Sequence, residues 1–160
     1  MPATVEGRQR ALISQYPVWN SLMLHELLDR AAAEHSDRPY IVTDDRSFTY
    51  GEIADWSRRL ARGLQSLGVR PREHVAAVMA NYAEFVALKY AISRLGAVCV
   101  PINFLNRRDE LAYVLWQSDA VTLITMDRCR DLDYLARRDE LAPGWATAGG
   151  GERFPRLRKV

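Results

Sequence analysis

At 160 residues with 48% apolar content, the chain has material for one domain with a proper core. Its 22 basic and 20 acidic residues leave a net charge of +2, too small to draw it toward nucleic acid or a membrane surface. Twenty of the basic residues are arginine and only Lys89 and Lys159 are lysine, a skew that weakens any argument built on one arginine. The first twenty residues lack an apolar run of signal-peptide length and read as an irregular surface segment, and no later stretch approaches the ~18 residues of a membrane span. Asn20 or Ser21 then opens a helix through "LMLHELLDRAAAEH", with Leu24, Leu27, Leu28 and Ala31 on one face. Pro39 limits it, and "YIVT" and "SFTY" around "DDR" predict a small hairpin or a strand pair.

From residue 49 the punctuation becomes regular. Thr49 and Glu52 have capping-box spacing, and Ile53, Leu60, Leu64 and Leu67 follow as a helical stripe stopped by Gly68. "HVAAVMA" (74–80) is almost continuously apolar, as expected of a strand covered on both faces. Asn81 and Glu84 suggest a second cap, before the stripe Phe85, Leu88, Ile92 and Leu95 and the stop at Gly96. "AVCV" predicts another covered strand ended by Pro101, Asn106 the start of a helix through Leu115, and "AVTLIT" (120–125) a third strand. A weaker helix covers about 130–141. The order β-α-β-α-β-α with short connections predicts a layered α/β fold with a mostly parallel sheet. "RRDELA" recurs at 107–112 and 137–142 with nothing around it matching, so it is not a structural repeat. Residues 142–160 read as a Gly/Pro-rich tail leading into a strand at "RLRKV" that has barely begun.

Chemistry-bearing motifs are scarce. Neither G-x-x-x-x-G-K-[ST] nor G-x-G-x-x-G nor G-x-S-x-G occurs, and Gly149–Gly151 fits a linker better than a phosphate cradle. Cys99 and Cys129 lack CxxC spacing, and His25, His35 and His74 are scattered, so the reading is reduced thiols, a cytoplasmic protein and no metal site. Open α/β sheets bind ligands beyond their strand C-termini. One such end carries Asn103, Phe104 and Asn106, and the next carries Asp127, Arg128, Cys129 and Arg130. A flat aromatic with two guanidinium forks could hold a base and a phosphate. The plainer reading has Phe104 packed on the following helix and both arginines solvated. Trp56, Trp116 and Trp145 read as packing residues, and Arg107-Arg108-Asp109-Glu110 as a helix first turn.

Two stretches carry a family likeness. "FTYGEI" (48–53) and "SRLGAVCVPIN" (93–103) resemble the first and second core motifs of adenylate-forming enzymes, particularly acyl-CoA synthetases of the fatty-acid–CoA ligase type. The similarity extends through "RRDELAYVLWQSDAVTLIT" and covers about residues 21–126, although "REHVA" stands where the family has Gly-Asp-Arg-Val-Ala. The resemblance implies an incomplete N-terminal subdomain of the synthetase fold, with residues 21–141 as its partial N-terminal domain. It also implies the family's reaction: a carboxylic (fatty) acid and ATP give an acyl-adenylate, and the acyl group then passes to coenzyme A. Both motifs are architectural in the family, so no catalytic residue and no metal ligand is expected here. The phosphate-gripping loop, the aromatic-Thr-Glu stretch, the ribose-holding aspartate and the C-terminal lysine have no counterpart in these 160 residues. The family's ATP, magnesium and coenzyme A are therefore not expected to bind tightly to this chain alone. Arg128 and Arg130 lie where some relatives contact the nucleotide end of coenzyme A.

Three readings follow. The favoured one is a truncated acyl-CoA synthetase, inactive alone. The second is a non-catalytic binding or interaction module derived from such a ligase. The third, an independent small enzyme, has no site to point to. A fragment should leave open strand edges and uncovered helix faces, among them the apolar helix with Tyr82, Phe85 and Tyr90, and self-association through those edges is expected.

Overall fold

The computed structural model describes residues 4–16, 21–129, 132–141, 143 and 149–160. Its elements are α1 (Val5–Gln15), α2 (Leu24–His35), β1 (Pro39–Val42), β2 (Ser47–Thr49), α3 (Tyr50–Ser66), β3 (His74–Val78), α4 (Ala83–Arg94), β4 (Val98–Ile102), α5 (Arg108–Gln117), β5 (Thr122–Thr125), β6 (Arg128–Cys129), β7 (Leu132–Asp133) and α6 (Tyr134–Leu141). β3, β4 and β5 form a parallel sheet in the order β4-β3-β5, with Val75 opposite Cys99 on one side and Thr122 on the other. β1 pairs with β2, and β6 with β7, as separate antiparallel ribbons. The α/β class and the hairpin over 39–49 agree with the sequence. Lys159 adds a parallel bridge to Thr122, held by the Leu123 N–H on the Lys159 carbonyl at 2.9 Å.

β3 explains the two-sided core. Because side chains alternate along a strand, Val75 and Ala77 point to one face and Ala76 and Val78 to the other. On the first face they meet Ala61 and Leu64 of α3 and Leu88, Ala91 and Ile92 of α4. On the second they meet Leu111 and Leu115 of α5, Leu141 of α6, and Phe154 and Leu157. A third cluster joins Leu28 of α2 to Ile53 and Ala54 of α3, with Tyr40, Phe48 and Trp56 against it.

The helix starts and stops are chemical. The Thr49 hydroxyl accepts from the Glu52 N–H at 3.2 Å and the Glu52 carboxylate accepts from the Thr49 N–H at 2.8 Å, so two orphan amides are satisfied reciprocally. Gly68 and Gly96 adopt φ of 88° and 64°, the left-handed stop that side chains disfavour. Above this framework, Asp29 of α2 receives both guanidinium nitrogens of Arg94 at 2.7 Å, while Arg94 Nε donates to Ser57 at 2.9 Å. Arg58 donates to the same aspartate at 2.7 Å. The Arg94 hydrogen bonds dominate and hold the Asp29 carboxyl below its ordinary value, tying α2, α3 and α4 together.

Several expectations change. The first twenty residues are not irregular throughout, because Thr4 caps an eleven-residue helix through its hydroxyl and the Gly7 N–H. α2 starts at Leu24, and only Leu28 of the expected apolar face is buried, Leu24 and Leu27 staying about half exposed. Asn81 does not cap α4; the cap is Tyr82, without a side-chain hydrogen bond. β4 is not stopped by Pro101 but runs through it to Ile102. As an edge of the described sheet, it can place a residue without an N–H. The same position leaves Val98 and Pro101 exposed, so "AVCV" is not covered on both faces. α5 begins at Arg108, after Arg107 donates its N–H to Glu110 at 2.8 Å, and not at Asn106. Trp116 is 62% exposed on α5 and is not a packing residue, whereas Trp56 packs against Phe48; Trp145 lies outside the described residues.

Candidate ligand-facing edge of the sheet

Parallel strands deliver their C-terminal ends to one edge, so β3, β4 and β5 place Met79–Tyr82, Asn103–Phe104 and Met126–Cys129 there together. The Met126 N–H donates to the Val78 carbonyl at 3.3 Å, and the Ala80 N–H donates to the Met126 sulfur at 3.2 Å. Tyr134 then locks two loops: its N–H reaches the Asp127 carbonyl at 3.0 Å and its hydroxyl reaches the Phe104 carbonyl at 2.8 Å. Tyr134 is itself buried beneath the edge. Asn103 turns its side-chain oxygen back onto the Leu105 N–H at 3.0 Å, which shapes the loop after β4.

Phe104 is half-buried and packs against the core face of the sheet, so its ring is occupied by packing. Arg128 stands at the start of β6 with 70% of its side chain exposed, 3.6 Å from Asp133 across the ribbon. Asp133 is held below its ordinary value, first by the Ala136 N–H that its carboxylate accepts at 2.9 Å and further by Arg128. Arg130 lies outside the described residues. The Tyr82 hydroxyl donates to the Cys129 sulfur at 3.7 Å, which raises the phenol's pKa and keeps it protonated. Among the described residues the edge therefore presents exposed amides at Asn81 and Asn103, a neutral phenol at Tyr82 and the guanidinium of Arg128. These groups can hydrogen-bond and attract an anion.

Among the described residues no three His, Cys, Asp or Glu side chains converge as metal ligands. His74 lies at the opposite end of β3, where its Nδ1 donates to the Ser118 carbonyl at 2.6 Å. His25 Nδ1 lies 3.0 Å from the Ser93 hydroxyl. Burial raises the Cys99 thiol, which makes it a poor nucleophile. Two links escaped sequence reasoning, Tyr134 to Phe104 and Tyr82 to Cys129. They join residues 30 and 47 positions apart, with no local pattern to mark them. No described helix is long and apolar enough to cross a membrane.

Comparison with known proteins fits this architecture. The model of the AMP-binding enzyme family matches residues 28–148. "Putative acyl-CoA synthetase YngI" of Bacillus subtilis is 36% identical over 140 residues, covering 84% of this chain and 26% of that protein. Triostin synthetase I of Streptomyces triostinicus is 32% identical over 145 residues, covering 89% of this chain and 28% of that protein. The crystal structure of the anthranilate CoA ligase AuaEII in complex with anthranoyl-AMP superposes with a TM-score of 0.73 over 90% of this chain and 26% of that one; at 22% identity it speaks for the fold alone. The chain thus spans about a quarter of the length of these two curated relatives. With parallel strands, crossover helices and sequence motifs all in agreement, the chain belongs to the AMP-binding enzyme family and corresponds to an N-terminal portion of the adenylate-forming fold.

Proposed function

We propose that this chain serves as the N-terminal scaffold of an ATP-dependent acyl-CoA synthetase acting in the cytoplasm on a carboxylic acid of the fatty-acid class. The observation that carries this reading is the 36% identity to a protein named as an acyl-CoA synthetase over most of the chain. In such a reaction a carboxylate oxygen attacks the α-phosphorus of ATP and pyrophosphate leaves; the thiol of coenzyme A then attacks the acyl carbon and AMP leaves. The residues described here supply neither the phosphate grip nor the magnesium ligands for these steps. In this proposal the chain's contribution is the sheet that seats them, and it is inactive alone. Arg128 and Arg130 are the candidates for contact with the nucleotide end of coenzyme A. Arg128 has the exposure for it, with Asp133 as the neighbour it would have to leave.

A second reading draws on the likeness to Triostin synthetase I. Under it the scaffold belongs to an adenylating module of a peptide synthetase, which would load its acid onto a carrier thiol in place of coenzyme A. The test is acid-dependent exchange of pyrophosphate into ATP by the natural polypeptide that contains this chain, followed by a search for coenzyme A thioesters. Exchange driven by fatty acids with thioester formation supports the first reading. Exchange driven by amino acids without coenzyme A turnover replaces it with the second. No exchange from a folded product leaves the non-catalytic module. For the arginines, Arg128→Ala with Arg130→Ala should raise KM for coenzyme A about fivefold at unchanged ATP dependence; a shift in ATP dependence alone, or no shift, removes the assignment.

A further inference from the structure

We propose that Tyr134 is a positioning residue: its hydroxyl holds the β6–β7 ribbon against the loop after β4 and so sets where Arg128 meets the nucleotide end of coenzyme A. The inference rests on the reading of the chain as a synthetase scaffold with Arg128 as that contact. Tyr134 opens α6 and follows β7 directly, so the ribbon ends on it. It is 3% exposed and belongs to the core cluster that holds Leu111, Leu123 and Leu141. Its N–H donates to the Asp127 carbonyl at 3.0 Å, which closes the base of the ribbon one residue before Arg128. Its hydroxyl donates to the Phe104 carbonyl at 2.8 Å, 30 positions back along the chain. One side chain thus joins the core, the ribbon and the loop that leaves β4.

Arg128 hangs from that base. Its N–H donates to the Asp127 carboxylate at 2.6 Å, and it stands opposite Asp133 in the two-residue register of the ribbon. Its guanidinium lies 3.6 Å from the Asp133 carboxylate, and an exposed pair of this kind contributes little. Nor does so short a ribbon hold its own shape in water. Where the guanidinium stands beyond the strand ends is therefore set by how the ribbon is anchored. On the β3 side the anchor is the Tyr82 hydroxyl on the Cys129 sulfur at 3.7 Å, a long bond to a weak acceptor. On the β4 side it is the Tyr134 hydroxyl, an O–H···O bond of ordinary length from a buried ring. The β4 side is the firmer of the two. A guanidinium fork meets phosphate oxygens in a fixed geometry, so a displaced ribbon weakens the contact.

Steady-state kinetics of the natural polypeptide that contains this chain test the assignment. Tyr134→Phe removes the hydroxyl and keeps the ring that fills the core. It should raise KM for coenzyme A about threefold, with kcat and the KM values for ATP and acid unchanged. In an Arg128→Ala background it should raise that KM no further, because both substitutions act on one contact. Hydrogen exchange at the Tyr134 amide should also quicken in Tyr134→Phe, while exchange through Val75–Val78 stays as it was. A merely structural hydroxyl would lower the melting temperature and leave every KM alone, and that result overturns the proposal. A shift confined to the KM for ATP overturns it, as does a coenzyme A effect that multiplies fully with that of Arg128→Ala. Arg128→Ala without effect on KM for coenzyme A does the same. Failure of the scaffold reading looks different: the parent polypeptide then turns over no coenzyme A, and the inference falls with it. With turnover intact in the parent and KM unmoved in Tyr134→Phe, the inference alone falls.

Discussion

The two faces of the central sheet are built in different ways. On the first, α3 leads from β2 into β3 and α4 crosses from β3 to β4, and both meet β3 through small residues, Ala61, Ala77 and Ala91, so backbones approach closely around Leu64 and Ile92. On the second, α5 is joined by α6 and by Phe154 and Leu157, large side chains brought from a segment about thirty residues downstream of β5. The first face is closed by near neighbours in sequence, the second by long-range closure of the chain. Closing a longer loop costs more entropy, so the second layer should be the first to open.

The largest effect should separate them outright. Ile92→Ala removes a fully buried side chain between the layers of the first face and should cost about 2–5 kcal/mol in urea denaturation, with the whole domain unfolding as one unit. Leu157→Ala, which is 5% exposed, should cost about 2–3 kcal/mol. Hydrogen exchange at the amides of Leu123 and Arg158, which pair the final segment to β5, should rise before exchange in α4. If both variants raise exchange uniformly, the two faces are one cooperative unit and the contrast fails.

Smaller effects sharpen the comparison. Thr49→Ala strips the side-chain half of the capping box and should lower stability by about 1 kcal/mol, read as a lower melting temperature, without loosening residues 150–160. Acid should weaken both layers. Asp29 is held down chiefly by its hydrogen bonds from Arg94, and Glu73 by those from Arg158. Each folded pKa lies below its unfolded value, near 3.8 for Asp and 4.5 for Glu. The stabilisation is thus complete above those values and is lost as pH falls through the lowered ones. Melting temperature measured from pH 6 to pH 2 should fall in that acid limb, and Asp29→Asn should flatten it. An unchanged limb in that variant would mean that other carboxylates carry the acid sensitivity.

How much was legible follows from distance along the chain. The capping box at Thr49–Glu52, the glycine stops at 68 and 96 and the nearly continuous apolar run from His74 to Ala80 are local, and each placed its element correctly. The start of α4 failed because Asn81 and Glu84 have the spacing of a cap without making it, and Tyr82 takes the position instead. Pro101 was misplaced because whether a proline ends a strand depends on whether the strand is an edge, which the sequence does not contain. Of the candidate site, the strand-end location was legible, since parallel topology alone dictates it. The local disposition was not: Phe104 turned into the core and Arg128 drawn beside Asp133 depend on partners chosen by packing.

By itself the sequence determined the order of the elements from α2 to β5, the parallel α/β class and the family likeness, because these rest on periodicity, capping chemistry and motifs within a few residues of one another. The tertiary structure alone decided which surfaces close and which remain open. The ion pairs that join α2 to α4 and Glu73 to Arg158 span 65 and 85 residues. Their partners meet only after the sheet has formed, so no reading of neighbouring residues could have paired them. The exposed apolar side chains of α1 belong to the same class, since an apolar side chain reads alike in sequence whether the fold covers it or leaves it open.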